Sequence, residues 1–262
     1  MSTPTGDTFA RPTALAISHP GHELRLMKWI ERTGPAVFIL TSGSRSGTSR
    51  SRVQASRDLA HELGATPAEV FGRHLDREVY GWILAGDPAP FLSLADELAE
   101  SFAARGVGRV VTDSWQLYNV VHDLWRLTVE VAVRRAAARS GRPIEVLDYP
   151  VVPPSMVTPQ PGAERLRLDL SQSEVARKLA LAAAFPEIGG DVAEVRAHGG
   201  EALLAHETLH DLRPLGELVP SPGQTPLYEQ YGEARVASGL YGTVLRWRHV
   251  EPVVMALAAV TS

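Results

Sequence analysis

Two histidines stand three residues apart in the segment 19–23, which reads His-Pro-Gly-His-Glu and follows a short apolar run. Neutral imidazole is a good zinc ligand, and a turn can direct two rings at one ion. An isolated pair is explained equally well if His19 caps a strand and His22 caps a helix. The pair therefore predicts a metal site only if a further ligand comes from elsewhere in the chain.

A second histidine pattern, in the segment 206–210, reads His-Glu-Thr-Leu-His. It matches the helical signature of zinc proteases, in which the two histidines share a helix face and the glutamate is the base. A protease helix continues past the second histidine, whereas here Asp211 follows and Pro214 would break the helix. The context favours a Glu207 that is either buried or hydrogen-bonded to a ligand of the site, and a zinc protease is kept as the less favoured alternative.

Composition limits what can hold a metal and what the chain can bind. The 262 residues include no cysteine, so a thiolate site is impossible and any metal must be held by histidines and carboxylates. The 26 Lys and Arg against 30 Asp and Glu give a net charge of -4, which offers no basic excess for a phosphate backbone. Nucleic acid is therefore not an expected partner.

The sequence has neither a recognisable secretion signal nor a membrane span, and we therefore expect a cytoplasmic protein. Residues 1–11 are polar and lack the apolar run of a secretion signal. The most extended helical run, 115–138, carries Arg126, Glu130, Arg134 and Arg135, so it is unsuited to a bilayer, which requires ~20 apolar residues. We expect no membrane partner, and the sequence leaves a homo-oligomer open.

The elements around the histidines alternate between strand and helix. Continuous apolar runs are typical of buried parallel strands, and the repeated order strand, helix, strand predicts a doubly wound, mostly parallel, Rossmann-like α/β sheet with helices on both faces. The strands are expected at 13–18, 36–41, 109–113, 144–152 and 165–170, and the helices at 23–32, 52–63, 90–105, 117–139, 174–185 and 233–247.

Domain boundaries follow from polarity and proline content. Residues 1–12 form a polar leader, and residues 13–215 are predicted to form the α/β domain. Prolines recur at 220–226, so residues 216–262 are expected to be a C-terminal extension that packs on the same domain.

Several of these segments resemble the PIG-L/LmbE-like zinc deacetylases (GlcNAc-PI de-N-acetylase type) in order and spacing. They are residues 16–23, the strand end at 40–43, Arg52 with the helix ending at 63–64, and the later strand followed by a helix that opens with His122. The resemblance continues through 168–171 and Lys178, so it spans most of the chain, although each motif is short. It implies one zinc ion and hydrolysis of an N-acyl group on an amino sugar.

Carried over residue by residue, the resemblance assigns the zinc ligands to His19, His22 and His122. Three imidazoles with one open position make a legitimate catalytic zinc set. The family's general base falls on Gly21, which cannot take a proton. The family's histidine near the developing oxyanion falls on Asn119, which could donate a hydrogen bond but cannot act as an acid.

Three further residues are candidates for the site, two as the base and one for substrate binding. Asp113, at the end of a strand, and Glu23, within the motif, are the carboxylates that could replace the base, although a helix cap and a first-turn charge explain them as well. Arg52 matches an arginine that meets a polar substrate in the family, and a solvated surface role explains it equally.

The sequence thus predicts a zinc-dependent N-deacetylase acting on an N-acyl amino sugar or a sugar-bearing metabolite. The alternative is a degenerate protein of the same fold that binds a sugar-like ligand without hydrolysing it, and Gly21 favours this interpretation. The C-terminal aromatic residues could line a sugar-binding surface or dock a terminal helix on the core. They are Tyr228, Tyr231, Tyr241 and Trp247.

Overall fold

A sheet surrounded by helices makes up the chain in the computed structural model, which describes residues 10–43, 50–153, 157–199 and 204–260. The strands are β1 (Thr13–Ile17), β2 (Ala36–Thr41), β3 (Thr66–His74), β4 (Arg109–Asp113), β5 (Glu145–Tyr149), β6 (Glu164–Asp169) and β7 (His206–Asp211). The helices are α1 (Met27–Thr33), α2 (Arg50–Glu62), α3 (Asp76–Leu84), α4 (Ala89–Ala104), α5 (Val120–Ser140), α6 (Gln172–Ala184), α7 (Gly190–Gly199), α8 (Leu227–Ala237) and α9 (Trp247–Ala259). A 3-10 helix, His22–Leu26, leads into α1.

The seven strands lie in the order β3-β2-β1-β4-β5-β7-β6. The first five strands of the chain pair in parallel, and β6 and β7 add an antiparallel edge. The chain proceeds outward from β1 through β2 and β3, then returns to β4 on the other side of β1. In such a sheet, ligands bind outside the carboxyl ends of the strands where the order reverses, which here lies between β1 and β4.

Alternation along the strands divides the core into two layers. In β1, Ala14 and Ala16 face one layer, while Leu15 and Ile17 face the other, as the two-residue period of a strand requires. The first layer includes buried residues of α4, α5 and α9, and the second includes those of α1 and α2. The doubly wound, mostly parallel α/β class predicted from the sequence is confirmed.

Three local predictions need correction. The strand β3 and the helix α3 were not predicted, because Pro67, Gly72 and exposed charged residues interrupt the apolar pattern of this edge strand. The single helix expected at 233–247 is wrong, since α8 ends at Ala237 and α9 begins at Trp247, with glycines between them. The helix that the protease alternative requires at 206–210 is also wrong, because this segment is β7.

Residues 1–9 of the predicted leader and 261–262 of the predicted C-terminal extension lie outside the described residues. Residues 227–260 pack against the same core layer as α4 and α5, through Tyr228, Val250, Val253 and Leu257. None of the helices in the described ranges has the length and apolar character needed to cross a membrane.

Candidate metal centre

Three elements bring the predicted histidines to one place at the carboxyl edge of the sheet. His19 and His22 lie in the turn after β1, and His122 lies in the first turn of α5, which follows β4. The ring centroids of His19 and His22 are 5.6 Å apart, those of His19 and His122 are 5.0 Å apart, and those of His22 and His122 are 4.9 Å apart. The structure therefore brings together the three residues that the resemblance assigns to zinc.

The turn that carries His19 and His22 requires a glycine at position 21. Gly21 has a φ of 106°, a conformation that residues with a side chain rarely adopt. A Cβ built on it would lie 2.7 Å from the carbonyl oxygen of Ile188. The backbone around this turn thus excludes any side chain where the resemblance expects the base.

Hydrogen bonds fix the ring of His19. Its Nδ1 lies 2.7 Å from Thr41 Oγ1, and because the Thr41 hydroxyl donates to the carbonyl of Ser18, Nδ1 of His19 carries the proton. Its Nε2 therefore has the lone pair, and Nδ2 of Asn119 lies 3.5 Å from it. Asp76 Oδ1 also lies 3.5 Å from Nδ1 of His19.

The ring of His22 is held by Asp113. Nδ1 of His22 lies 3.3 Å from Asp113 Oδ1, and Tyr149 donates its hydroxyl to the same oxygen at 2.8 Å. The backbone N–H of Ser18 donates to Asp113 Oδ2 at 2.9 Å, and the Ser18 hydroxyl donates to it as well. A metal-binding histidine characteristically donates its other ring nitrogen to a carboxylate in this way.

The charge of Asp113 follows from these partners. Burial alone would raise the pKa of Asp113, but the charges that His22 and His122 carry when protonated and the hydrogen bonds from His22 and Ser18 outweigh it and hold that pKa well below its usual range. Burial raises the pKa of Tyr149 well above its usual value, so the phenol keeps the proton that it donates. Asp113 is therefore an ionised carboxylate at neutral pH.

The ring of His122 has a nitrogen that a metal ion could use. The residue is only 4% exposed, and its Nε2 is buried without a hydrogen-bond partner. Burial lowers the pKa of His122 well below the usual value, against the opposing charge of Asp113, so the ring is neutral and its lone pair is available. A buried polar atom without a partner is costly, and a metal ion would satisfy it.

The donors in this region suit a zinc ion. Among the described residues, those that place donor atoms within 4.8 Å of one another in a group of three are His22, Asp113 and His122. Imidazole nitrogen and carboxylate oxygen are both ordinary zinc ligands. His19 is not in this group, and the distances between ring centroids alone place it beside the other two histidines. The set of His22, Asp113 and His122 fits the metal that the resemblance implies.

The other predicted site residues occupy different places around the centre. Glu23 is fully buried and accepts the N–H of Gly21 at 2.6 Å, and burial raises its pKa. Arg52 donates to the carbonyl oxygens of Gly43 and Pro20, so it ties the loop after β2 to the turn that carries the histidines. Asn119 caps α5 by accepting the N–H of Val121.

Asp76 is a site residue that sequence reasoning missed. It is the first residue of α3, directly beyond β3, and it lies beside His19. Burial would raise the pKa of Asp76, but hydrogen bonding with His19 and the charge of that ring when protonated outweigh burial. The net shift of the pKa is therefore downward. A carboxylate following a strand was the available signal, but it was invisible while β3 was not recognised.

The segment 206–210 lies elsewhere, on the antiparallel edge of the sheet. Glu207 points into the core, where its carboxylate accepts the N–H groups of Lys28 and Trp29 at 3.0 and 2.9 Å. It also forms an ion pair with the buried Lys178 at 2.7 Å. Glu207 is therefore a buried carboxylate of β7 that contacts the first turn of α1, and its burial was expected.

A cavity of about 980 Å³ opens above the metal centre. His19, His22 and Asn119 lie in its wall near the sheet, and among its described lining residues Asp76 is the one carboxylate. Tyr228, Tyr231 and Tyr241 also line it, whereas Trp247 packs against the core.

Comparison with known proteins gives structural neighbours but no family match. No family model and no curated protein matches the chain. The conserved protein TT1542 from Thermus thermophilus is similar at 18% identity and a TM-score of 0.46, covering 82% of this chain and 99% of that one.

Two further neighbours are deacetylases by their descriptions. A triple mutant of the deacetylase Orf2 of the teicoplanin biosynthetic pathway is similar at 13% identity and a TM-score of 0.45, covering 75% of this chain and 96% of that one. The A40926 pseudoaglycone deacetylase Dbv21 is similar at 15% identity and a TM-score of 0.43, covering 87% and 93%. At such identities and TM-scores, the likeness carries no activity over to this chain.

Proposed function

We propose that this chain is a metal-dependent N-deacetylase, an amide hydrolase that uses zinc and acts on an N-acyl amino sugar or a sugar-bearing metabolite. The observation that carries the proposal is the close approach of three histidine rings, with centroids 4.9 to 5.6 Å apart, together with the buried, unpartnered Nε2 of His122. This arrangement lies at the floor of a cavity large enough for a substrate.

In this proposal, His19, His22 and His122 would hold the metal. The Nδ1 atoms of His19 and His22 contact Thr41 and Asp113, and a metal-binding histidine held in this way at one ring nitrogen coordinates through the other, here Nε2. A bound zinc ion would act as a Lewis acid on the amide carbonyl and lower the pKa of a bound water. Asp113 positions His22, and its negative charge offsets that of the metal.

A proton acceptor must replace the base that Gly21 cannot provide. Asp113, predicted for this role from the sequence, has both oxygens occupied by Ser18, Tyr149 and His22. Glu23, the second prediction, directs one oxygen at the N–H of Gly21 and does not line the cavity. We therefore assign proton acceptance to Asp76, the carboxylate in the described cavity lining, whose pKa is lowered. Because Asp76 lies at Nδ1 of His19, it would receive the proton through an intervening water.

Asn119 and Arg52 complete the proposal. Nδ2 of Asn119 points toward the cluster while its Oδ1 is held by α5, so the amide can donate a hydrogen bond to a developing oxyanion. Arg52 lines the cavity, but its guanidinium already serves two backbone carbonyls. Its contribution to substrate binding is therefore to hold the rim in place.

The test combines metal content with product formation. Purified protein is loaded with zinc, dialysed and measured by elemental analysis, and acetate release is followed over a panel of N-acetyl amino sugars and their glycosides. We expect one zinc per chain and acetate release that stops when the zinc is chelated. Protein that binds no zinc would contradict the proposal.

A second function is favoured by one observation, the exclusion of a side chain at position 21. A protein that keeps the metal but has lost proton transfer would bind a sugar-like ligand without hydrolysing it. Calorimetric binding of N-acetyl sugars to the zinc-loaded protein, without acetate release from any of them, would support this second function over the first.

A further inference from the structure

The cavity above the metal centre extends outward as a groove between two helices. On α3, the lining residues Asp76, Arg77, Tyr80, Gly81 and Leu84 form a stripe along one face. The opposite wall is α8, which contributes Tyr228, Tyr231, Gly232 and Arg235 with the same helical spacing. We call this space, from Leu84 on α3 to Arg235 on α8, the α3–α8 groove.

Glycine widens the α3 wall of the groove. Gly81 lies inside a helix with no unusual φ, and a Cβ built on it meets no atom within 4 Å. Glycine inside a helix costs about 1 kcal/mol relative to alanine, and here no close packing requires it. The position is therefore open space between the two helices.

Apolar side chains are exposed at the mouth of the groove. Leu84, Tyr231 and Leu240 are 39%, 45% and 57% exposed. The other large hydrophobic residues exposed among those described are Met255 and Val260, and neither lines the groove. Apolar exposure concentrated at a cavity is characteristic of a binding surface.

Aromatic rings and positive charge accompany this apolar mouth. Tyr118 and Tyr231 meet edge to face, with ring centroids 5.5 Å apart, and the guanidinium of Arg235 lies 5.9 Å from the ring centroid of Tyr241. The described lining has three arginines, Arg52, Arg77 and Arg235, against a single acid, Asp76. The groove therefore complements a flat apolar group that bears negative charge.

We propose that the α3–α8 groove binds an aromatic, acidic portion of the substrate, attached to the N-acyl sugar that reaches the metal centre. The aromatic portion packs against Tyr231 and Leu240, and its acidic group lies near Arg235. This inference rests on the proposed deacetylase function for the identity of the reacting group, but not for the binding in the groove itself.

Binding can be tested without catalysis by using the fluorescent probe 8-anilinonaphthalene-1-sulfonate, which is aromatic and acidic. The zinc-loaded protein should bind it with a saturable fluorescence increase. Gly81→Phe, which fills the open space, should weaken binding at least about tenfold, and Leu240→Ser should weaken it severalfold. Arg235→Gln should weaken binding and reduce its salt dependence.

Met255→Ser is the matched control for Leu240→Ser, because both remove an exposed apolar side chain and only Leu240 lines the groove. Its probe affinity should stay within about twofold of the wild type. Circular dichroism should show that each variant is folded. Equal binding by wild type and Gly81→Phe, or equal losses in Leu240→Ser and Met255→Ser, would overturn the proposal.

A kinetic comparison separates the groove from the chemistry. The ratio of kcat/KM for 4-carboxyphenyl N-acetyl-β-glucosaminide to that for N-acetylglucosamine should exceed about tenfold in the wild type and fall toward one in Gly81→Phe. Hydrolysis of both compounds at equal kcat/KM would contradict the groove proposal and support the deacetylase function. Groove-dependent probe binding with no hydrolysis of either compound would leave the groove standing and contradict the deacetylase.

Discussion

Two histidine pairs in this chain have similar sequence spacing but different structural contexts. His19 and His22 lie in a turn at the carboxyl edge of the parallel sheet, where a third histidine arrives from α5. His206 and His210 lie along β7, where four residues of extended chain separate their Cα atoms by ~13 Å. The first pair can share an ion, whereas the second pair cannot.

The glutamates that accompany the two pairs also differ. Glu207 is fixed by Lys178 and by the first N–H groups of α1, so its carboxylate stabilises the fold. Glu23 is fixed by the N–H of Gly21, so it shapes the turn that carries the histidines. In both places the surrounding backbone, and not the sequence motif alone, determines the role of the glutamate.

The largest effect that separates the two regions should come from removing one histidine from each, namely His122 beside the first pair and His210 of the second. His122→Ala should abolish stoichiometric zinc binding, because one of the three neighbouring rings at the carboxyl edge of the sheet is lost. His210→Ala should keep one zinc per chain. Elemental analysis after dialysis checks both variants, and loss of zinc in His210→Ala alone would reverse the comparison.

Asp76→Asn should separate chemistry from metal binding at the first pair. If Asp76 accepts the proton, its amide replacement should lower turnover by about 10²–10⁴-fold, while zinc content is unchanged. The measurement is acetate release under saturating N-acetyl sugar, with zinc determined on the same sample. Turnover equal to that of the wild type would remove Asp76 from the mechanism.

Glu207→Ala should destabilise the chain without affecting the metal. It leaves the buried Lys178 without its partner, and breaking such a pair costs about 3–5 kcal/mol of unfolding free energy. Urea denaturation of the zinc-loaded protein measures the loss. Because Lys178→Met with Glu207→Leu removes both charges, this double variant should recover much of the stability. A Glu207→Ala protein as stable as the wild type would contradict the structural role.

Asp113→Asn should have the smallest of these effects. The amide keeps the shape but loses the charge and one acceptor, so His22 is less well oriented and zinc affinity should fall by about 10–100-fold. Competition with a zinc-binding dye measures the affinity. A fall in turnover with zinc affinity unchanged would instead support Asp113 as the base that the sequence suggested.

The sequence predicted most of the fold because its buried parallel strands are continuous apolar runs. Residues 36–41 and 109–113 match β2 and β4. The edge strand β3 was not predicted, because it is half exposed and contains proline and glycine. Asp76, which follows this strand, was therefore not recognised as a site residue.

The sequence predicted that the three histidines lie together, but it did not predict the contacts of Asp113 or the place of Asp76. The turn after β1 and the start of α5 place their rings by local rules, whereas the contacts of Asp113 with Ser18 and Tyr149 join strands that are distant in sequence. The exclusion of a side chain at Gly21 likewise depends on Ile188, which no local pattern reveals.

Anomalous scattering at the zinc absorption edge, measured on crystals of the zinc-loaded protein, tests the central comparison most directly. The account predicts one strong peak at the carboxyl edge of the sheet, about 2.0–2.1 Å from ring nitrogens of His19, His22 and His122. A peak beside His206 or His210, or none at the three converging rings, would contradict it.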